Sequence, residues 1–128
     1  MKLRMKNNSV RLRLTQNEVA RFAETGQVRE TIQFGSEPQQ QFVYCLESSS
    51  EIAEIQARFK ENRLIITVPE RQAKDWANTA QIGLKEDQKI GGGNFLRVTI
   101  EKDFACLEPR DGEDETDAFP HPLEKQIC

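Results

Sequence analysis

Histidine is nearly absent from this chain, and cysteine is scarce and irregularly spaced. Its 128 residues hold one histidine, His121, and three cysteines at positions 45, 106 and 128. An odd number of cysteines without motif spacing favours a reduced, cytoplasmic compartment over a disulfide framework. The longest apolar run is too short to span a bilayer, and no apolar segment follows the basic N-terminus. We therefore expect no transmembrane helix, no secretory signal and no membrane partner.

The few residues with catalytic or metal-binding chemistry do not form a motif. A nucleophile such as Cys106 would need a base, and the one histidine lies between two prolines near the C-terminus. Cys45, Cys106, His121 and Cys128 are the right ligand types for zinc, but they lack its usual spacing. Residues 111–117 are acidic without the ligand rhythm of a calcium loop. We predict no catalytic, cofactor-binding or metal-binding residue, and a non-enzymatic protein more readily than an enzyme.

Charge divides the chain into a body and an acidic tail. Residues 109–128 contain six acidic and two basic side chains, a net charge of −4. Residues 1–108 contain 15 acidic and 16 basic side chains, a net charge of +1. This length suits one domain with a single core. We predict one domain over residues 1–108 and a flexible acidic tail over 109–128.

The two halves of the body have matching patterns, which predicts an internal duplication. Residues 1–54 and 55–108 align without a gap when the sequence is shifted by 54 positions. The apolar positions coincide, so that Phe22 matches Trp76 and Val28 matches Ile82. Seven positions are identical to the residue 54 later: Arg4, Lys6, Asn8, Ala23, Thr25, Gln27 and Glu47.

Each copy is predicted to fold as two strands, a helix and two further strands. Apolar residues alternate with polar ones around Leu3 and from Val10 to Leu14, which is typical of half-buried strands. Thr15 and Glu18 form a capping box before helically spaced apolar residues, and Gly26 suits the helix end. The glycine triplet 91–93 lacks the lysine, hydroxyl and helix of a phosphate loop, so it predicts a hairpin turn. We predict an α+β fold, a duplicated ββαββ unit whose mixed sheet curls into a barrel or sandwich with two short helices.

Two stretches resemble a known family of small bacterial proteins of unknown function. The first runs from Lys2-Leu3-Arg4 through Asn8 to Thr15, with Glu18-Val19. The second runs from Glu101 to Leu107 and continues in Glu113-Asp114-Glu115, Asp117, Phe119-Pro120 and Pro122. The resemblance covers most of the chain. It implies one compact domain with an attached tail, and it implies no activity, substrate or site residue.

The first hairpin carries the candidate binding site. If the apolar residues of its two strands face inward, five cations share the outer surface: Lys2, Arg4, Lys6, Arg11 and Arg13. The matching positions of the second copy are mostly uncharged, so the patch is predicted in one half only. Either the patch is an ordinary charged sheet surface, or it binds an anion. The near-neutral body and the shortage of aromatic residues argue against nucleic acid.

Two functions of different classes remain open. The first is a cytoplasmic, non-enzymatic interaction module whose basic hairpin meets an acidic protein segment, either its own tail or a partner. The second is a small ligand-binding or enzymatic barrel with a pocket between the two copies.

Overall fold

The computed structural model describes residues 1–105 and 119–120, and it confirms the α+β fold class. Strand, strand, helix, strand, strand follow one another in each half, as predicted. In chain order the elements are β1 (Lys2–Lys6), β2 (Ser9–Leu14), α1 (Gln16–Thr25), β3 (Gln27–Gln33), β4 (Gln41–Ser49), β5 (Gln56–Lys60), β6 (Arg63–Pro69), α2 (Glu70–Asn78), β7 (Gly83–Gly91) and β8 (Asn94–Lys102). The predicted tail at 109–128 lies outside the described residues except for Phe119 and Pro120.

Tight turns close three of the four hairpins. Asn7 and Asn8 have φ angles of 50° and 56°, and Glu61 and Asn62 have φ angles of 52° and 62°. Consecutive left-handed residues give the backbone twist that a two-residue hairpin turn needs. The glycines at 91–93 all have positive φ angles and join β7 to β8, so this stretch is a hairpin turn, as predicted.

The two helices begin in different ways. The Thr15 side chain accepts from the Glu18 amide, and the Glu18 carboxylate accepts from the Thr15 amide, which confirms the capping box of α1. Gly26, with φ of 79°, ends α1 in the left-handed conformation. Pro69 precedes α2 and offers no side-chain cap. Neither helix within residues 1–105 has the length and hydropathy needed to cross a membrane.

The strand order interleaves hairpins from the two halves of the chain. The first sheet has the order β1-β2-β8-β7, and the second has the order β3-β4-β6-β5. Within each sheet the hairpins meet through a parallel pair of central strands, β2 with β8 and β4 with β6. Each half therefore contributes one hairpin to each sheet, and the inner faces of both sheets enclose one apolar core.

Of the two predicted alternatives, barrel or sandwich, the barrel was wrong, because the described strands form two four-stranded sheets that do not close on each other. Strands β1 and β7 are the edges of the first sheet, and β3 and β5 are the edges of the second. Between β5 and β7 the Gln88 side chain accepts from the Ala57 amide at 2.6 Å and donates to the Ala57 carbonyl at 3.0 Å. A side-chain amide thus satisfies backbone groups that a barrel would pair in a strand ladder.

Strand β7 begins two residues later than the 54-residue register predicts. Val28 pairs with Leu46, and Leu84, not Ile82, pairs with Ile100 at the matching place. Leu84 is buried, whereas Ile82 lies outside the strand and is exposed. The Ile82 carbonyl accepts a hydrogen bond of 3.0 Å from the Trp76 indole. The connection from α2 to β7 is longer than that from α1 to β3, and it supplies this acceptor for the Trp76 indole. Phe22, at the equivalent position in α1, has no side-chain N–H and needs no acceptor.

Phe22 and Trp76 join the two helices within the core. Both side chains are buried, as the helical spacing predicted. Their rings contact edge-to-face, with centroids 6.0 Å apart and planes inclined at 64°. This geometry is favourable for an aromatic pair beyond the apolar area that it buries.

Replacing Trp76 by alanine is expected to lower the free energy of unfolding by about 3 to 5 kcal/mol, as for large aromatic core residues generally. Phe22→Ala should fall in the same range. Chemical denaturation measures both, with the exposed Phe104→Ala as control. A loss below about 1 kcal/mol for Trp76→Ala would contradict its place in the core.

The α-amino group of Met1 forms an ion pair across the sheet edges. It contacts the Glu18 carboxylate and also the Glu30 carboxylate at 3.0 Å. Burial alone would raise the pKa of Glu18, but hydrogen bonds from the amino group and from Thr15 outweigh it and lower that pKa from 4.5. The pKa of the amino group is raised from 8.0 because the two carboxylates outweigh its burial.

The free energy of unfolding should therefore depend on pH in the acidic range through the ionisation of Glu18. A carboxyl group whose pKa is lower in the folded state stabilises the fold above pH 4.5 and loses that contribution as the pH falls through its folded value. Glu18→Gln should flatten this acid dependence of the free energy of unfolding, measured by denaturation at several pH values. The control is Glu24→Gln, at an exposed position of the same helix. Equal acid dependence in Glu18→Gln and the parent chain would contradict the role of this ion pair.

Candidate anion-binding face of the first sheet

The five predicted cations share the outer face of the first sheet. Lys2 lies opposite Arg13, Arg4 lies opposite Arg11, and Lys6 lies opposite Ser9. Directly opposite residues of two strands point to the same face. The neighbouring positions Val10, Leu12 and Leu14 are buried in the core. All five cations therefore point outward, as the alternation predicted. Lys2, Arg4 and Lys6 are exposed, whereas Arg11 and Arg13 are half-buried, with 24% and 13% of their side chains exposed.

The hairpin of β7 and β8 extends this face, which the sequence did not predict. Arg97 lies beside Ser9 across the parallel pair, and Lys85, Asp87 and Lys89 continue the rows on β7. The strands of this outer face therefore carry eight cations and two acids, Asp87 and Glu101. A third acid, Asp103, lies directly after β8 and contacts Lys2 at 3.0 Å. The eight cations are Lys2, Arg4, Lys6, Arg11, Arg13, Lys85, Lys89 and Arg97. We call the outer surface of these four strands the basic face; its net charge is +6, or +5 when Asp103 is included.

The two acids of the basic face are engaged by its own arginines. The Glu101 carboxylate lies 2.8 Å from Arg13 Nε and 3.7 Å from Arg11 Nε. Asp87 accepts from Arg97 Nε at 3.0 Å, and this hydrogen bond lowers the pKa of Asp87 and raises that of Arg97. These pairs neutralise acids and arginines alike, and the surface stays positive because its cations outnumber its acids.

Like charges face one another directly on this surface. Lys2 and Arg13 are cross-strand neighbours, and so are Arg4 and Arg11. Like charges directly opposite each other on a sheet are destabilising. Glu101 beside Arg11 and Arg13, and Asp103 beside Lys2, offset part of this repulsion. A bound carboxylate or phosphate would offset more of it, and arginine can bind either anion through two parallel hydrogen bonds.

The residues considered for catalysis or zinc binding do not form a described site. Cys45 is buried and accepts from the Gln27 side chain at 3.3 Å. Burial raises the pKa of the Cys45 thiol, so this group is protonated at neutral pH. Cys106, His121 and Cys128 lie outside the described residues. Within residues 1–105 and 119–120, no three histidine, cysteine or acidic side chains are grouped as metal ligands.

A groove between the halves corresponds in position to the predicted pocket. It has a volume of about 650 Å³ and lies between the two helices and the end of β4. Glu24, Glu51, Glu70 and Lys74 line it together with serine, threonine and apolar side chains. Glu70 and Lys74 form an exposed ion pair at 2.9 Å. The groove thus offers polar contacts to a ligand, and its lining among residues 1–105 contains no histidine to serve as a base.

Comparison with known proteins assigns the chain to a family without assigning an activity. No curated protein and no solved structure matches it. A family model described as a family of unknown function, DUF7009, matches residues 1–123, and the chain therefore belongs to that family.

Proposed function

We propose that the protein is a non-enzymatic interaction module whose basic face binds an acidic segment of a partner protein. The observation that carries this proposal is the concentration of eight cations and two acids on one four-stranded face. The whole chain carries a net charge of −3, so the remainder outside the face carries −9. Positive charge is therefore gathered on one surface of an acidic protein, which supports electrostatic recognition there.

The spacing of the cations suits an extended acidic segment. Neighbouring strands lie about 4.8 Å apart, and alternate residues of one strand lie roughly 6.6 Å apart. Side chains on one side of an extended peptide also recur roughly every 6.6 Å. Successive carboxylates of the peptide can therefore follow a row of cations along one strand, such as Arg11 and Arg13. The spacing of about 4.8 Å between neighbouring strands lets one carboxylate contact a cation on each of them, such as Arg4 and Arg11.

An acidic protein segment fits this face better than nucleic acid does. A long polyanion would extend beyond the basic face and meet the acidic remainder of the chain. Sheets that bind single-stranded nucleic acid use several exposed aromatic rings for stacking, and Phe95 is the one aromatic residue on the described outer face of the first sheet. A short acidic peptide needs neither feature.

The chain's own acidic tail is the competing occupant of the basic face. Asp103, the first residue after β8, contacts Lys2 at 3.0 Å, so the chain leaves the sheet beside this surface. Residues 109–128 carry six acidic side chains. A tethered tail has a high effective concentration near the face. Any partner would then bind in competition with the tail.

Two further parts of the proposal concern origin and location. The halves are proposed to descend from a duplicated ββαββ unit. Support comes from two backbone hydrogen bonds related by 54 positions, from the Arg97 amide to the Asn8 carbonyl and from the Val43 amide to the Asn62 carbonyl.

The proposed location is the cytoplasm, supported by the odd number and irregular spacing of the cysteines in the sequence.

A labelled peptide of residues 109–125, added to the full chain, tests the binding function. Arg4→Gln with Arg11→Gln should weaken binding by roughly tenfold, since two exposed ion pairs contribute up to about 1 kcal/mol each. Fluorescence anisotropy measures the affinity, which should also fall as salt is added. The matched control is Arg21→Gln with Arg71→Gln, two exposed arginines on the helices.

A further variant of the full chain tests whether its own tail competes with the added peptide for the basic face. In this variant the corresponding amides replace four acids of the tail: Glu113, Asp114, Glu115 and Asp117. Tighter peptide binding by this variant would show that the tail occupies the face in the parent chain. If neither the parent nor this variant binds the peptide, or if the helix arginines matter as much as Arg4 and Arg11, the proposed function is wrong.

A further inference from the structure

All hairpin turns lie at one end of the molecule, opposite the two helices. In each sheet the parallel central strands begin directly after their turns, β2 beside β8 and β4 beside β6. Helices α1 and α2 follow the other ends of β2 and β6 and contact each other. The turns at 7–8, 34–40, 61–62 and 92–93 therefore share one end of the fold, which we call the turn end.

The turn end carries most of the exposed large apolar side chains of residues 1–105. Six of them, between 44% and 74% exposed, lie on or beside the turns: Met5, Ile32, Phe34, Phe59, Ile90 and Phe95. Two others, Ile82 and Phe104, lie at the helix end. Met5 was predicted to face inward with Leu3, but its position on an edge strand beside a turn leaves it exposed. Exposed apolar groups gathered on one surface mark a site of protein or membrane contact.

Opposite edges of the two sheets present these side chains at matching levels. Gln88 contacts Ala57 across the edges of β7 and β5, so Ile90 and Phe59, two residues further along each strand, come level at the turn end. Met5 and Phe34 hold the corresponding places on β1 and after β3. Half-buried Phe42 contacts the Phe59 ring, with centroids 6.3 Å apart, and connects this surface to the core.

Cations surround the apolar side chains of the turn end. Lys6, Lys60 and Arg63 each adjoin a turn, Lys89 lies three residues before the turn at 92–93, and all four are exposed. The acids at this end are Glu37, within the connection at 34–40, and Glu61, within the turn at 61–62. Lysine and arginine can keep their charges at a polar boundary while their stems lie along apolar surface.

We infer that the turn end rests on the surface of an anionic lipid bilayer and inserts its apolar side chains into the interface. The side chains stand on separate strands or connections beside four different turns, and a deformable apolar phase can contact all of them. The surrounding cations complement anionic headgroups, and apolar burial adds to this attraction. A second copy of the chain fits less well, because a two-fold contact through this end would set the four cations against themselves. The prediction of no membrane partner rested on the lack of a spanning segment, which surface binding does not require.

Vesicle binding of the full chain tests this inference. We expect sedimentation with vesicles of phosphatidylcholine and phosphatidylglycerol and weaker sedimentation with phosphatidylcholine alone. Phe34→Ser with Ile90→Ser should reduce the partition coefficient by about tenfold or more, because burial of one large apolar side chain contributes at least that factor. The matched control, Phe104→Ser with Ile82→Ser, removes the same two residue types at the helix end and should bind as the parent does.

A quenching experiment distinguishes insertion of apolar side chains from mere electrostatic attraction between the basic face and the lipid headgroups. Tryptophan placed by Phe34→Trp should be quenched by lipids brominated in their acyl chains, whereas tryptophan placed by Phe104→Trp should not. Equal quenching of the two, or equal sedimentation of the two serine variants, would overturn the inference. Light scattering without lipid checks self-association: a dimer lost only in Phe34→Ser with Ile90→Ser would assign the turn end to a second copy instead. None of these outcomes depends on peptide binding to the basic face.

Discussion

The parallel pairing of β2 with β8 and of β4 with β6 is the constraint on which the rest of the structure depends. Each pair joins a hairpin from one half of the chain to a hairpin from the other. Neither half can complete a sheet or enclose the core without its partner. Because strands in a parallel pair run in the same direction, the pairing also sends all turns to one end and both helices to the other. The contact between Phe22 and Trp76 then closes the helix end of the core.

The same pairing creates the basic face. Arg11 and Arg13 on β2 are brought beside Thr99 and Glu101 on β8, and Lys85 lies across from Thr99 on β7. Thr99 is buried although it points outward, since the long side chains around it cover a short one. Glu101 offsets part of the repulsion between Arg11 and Arg13. Ion pairs with Glu101, Asp87 and Asp103 offset part of this charge and leave an excess of cations, which the proposed binding of an acidic segment requires.

The two ends of the fold have different characters for a physical reason. At the helix end, α1 and α2 cover the core, and the capping box and the Gly26 cap satisfy the termini of α1. At the turn end no helix of residues 1–105 lies across the gap between the sheets, so side chains such as Phe59 belong to inner faces but remain open to solvent. The exposed apolar groups result from a core that is closed at one end only. The basic face and the turn end adjoin at Lys6 and Lys89, so one protein could hold an acidic segment close to a lipid surface.

Local sequence determined most of the individual elements. Alternation of Val10, Leu12 and Leu14 predicted the strand and its inner face, and Thr15 with Glu18 predicted the start of α1, because period and capping are properties of neighbouring residues. The five cations of the first hairpin were found in the same way. Tertiary structure decided which strands pair, that the sheets stay open, and that Lys85, Lys89 and Arg97 join the basic face. It also gathered Met5, Phe34, Phe59 and Ile90 at one end, although they are scattered over 86 positions of the sequence. Pairing between distant strands depends on the packing of the whole core, and no pattern within a single segment records it.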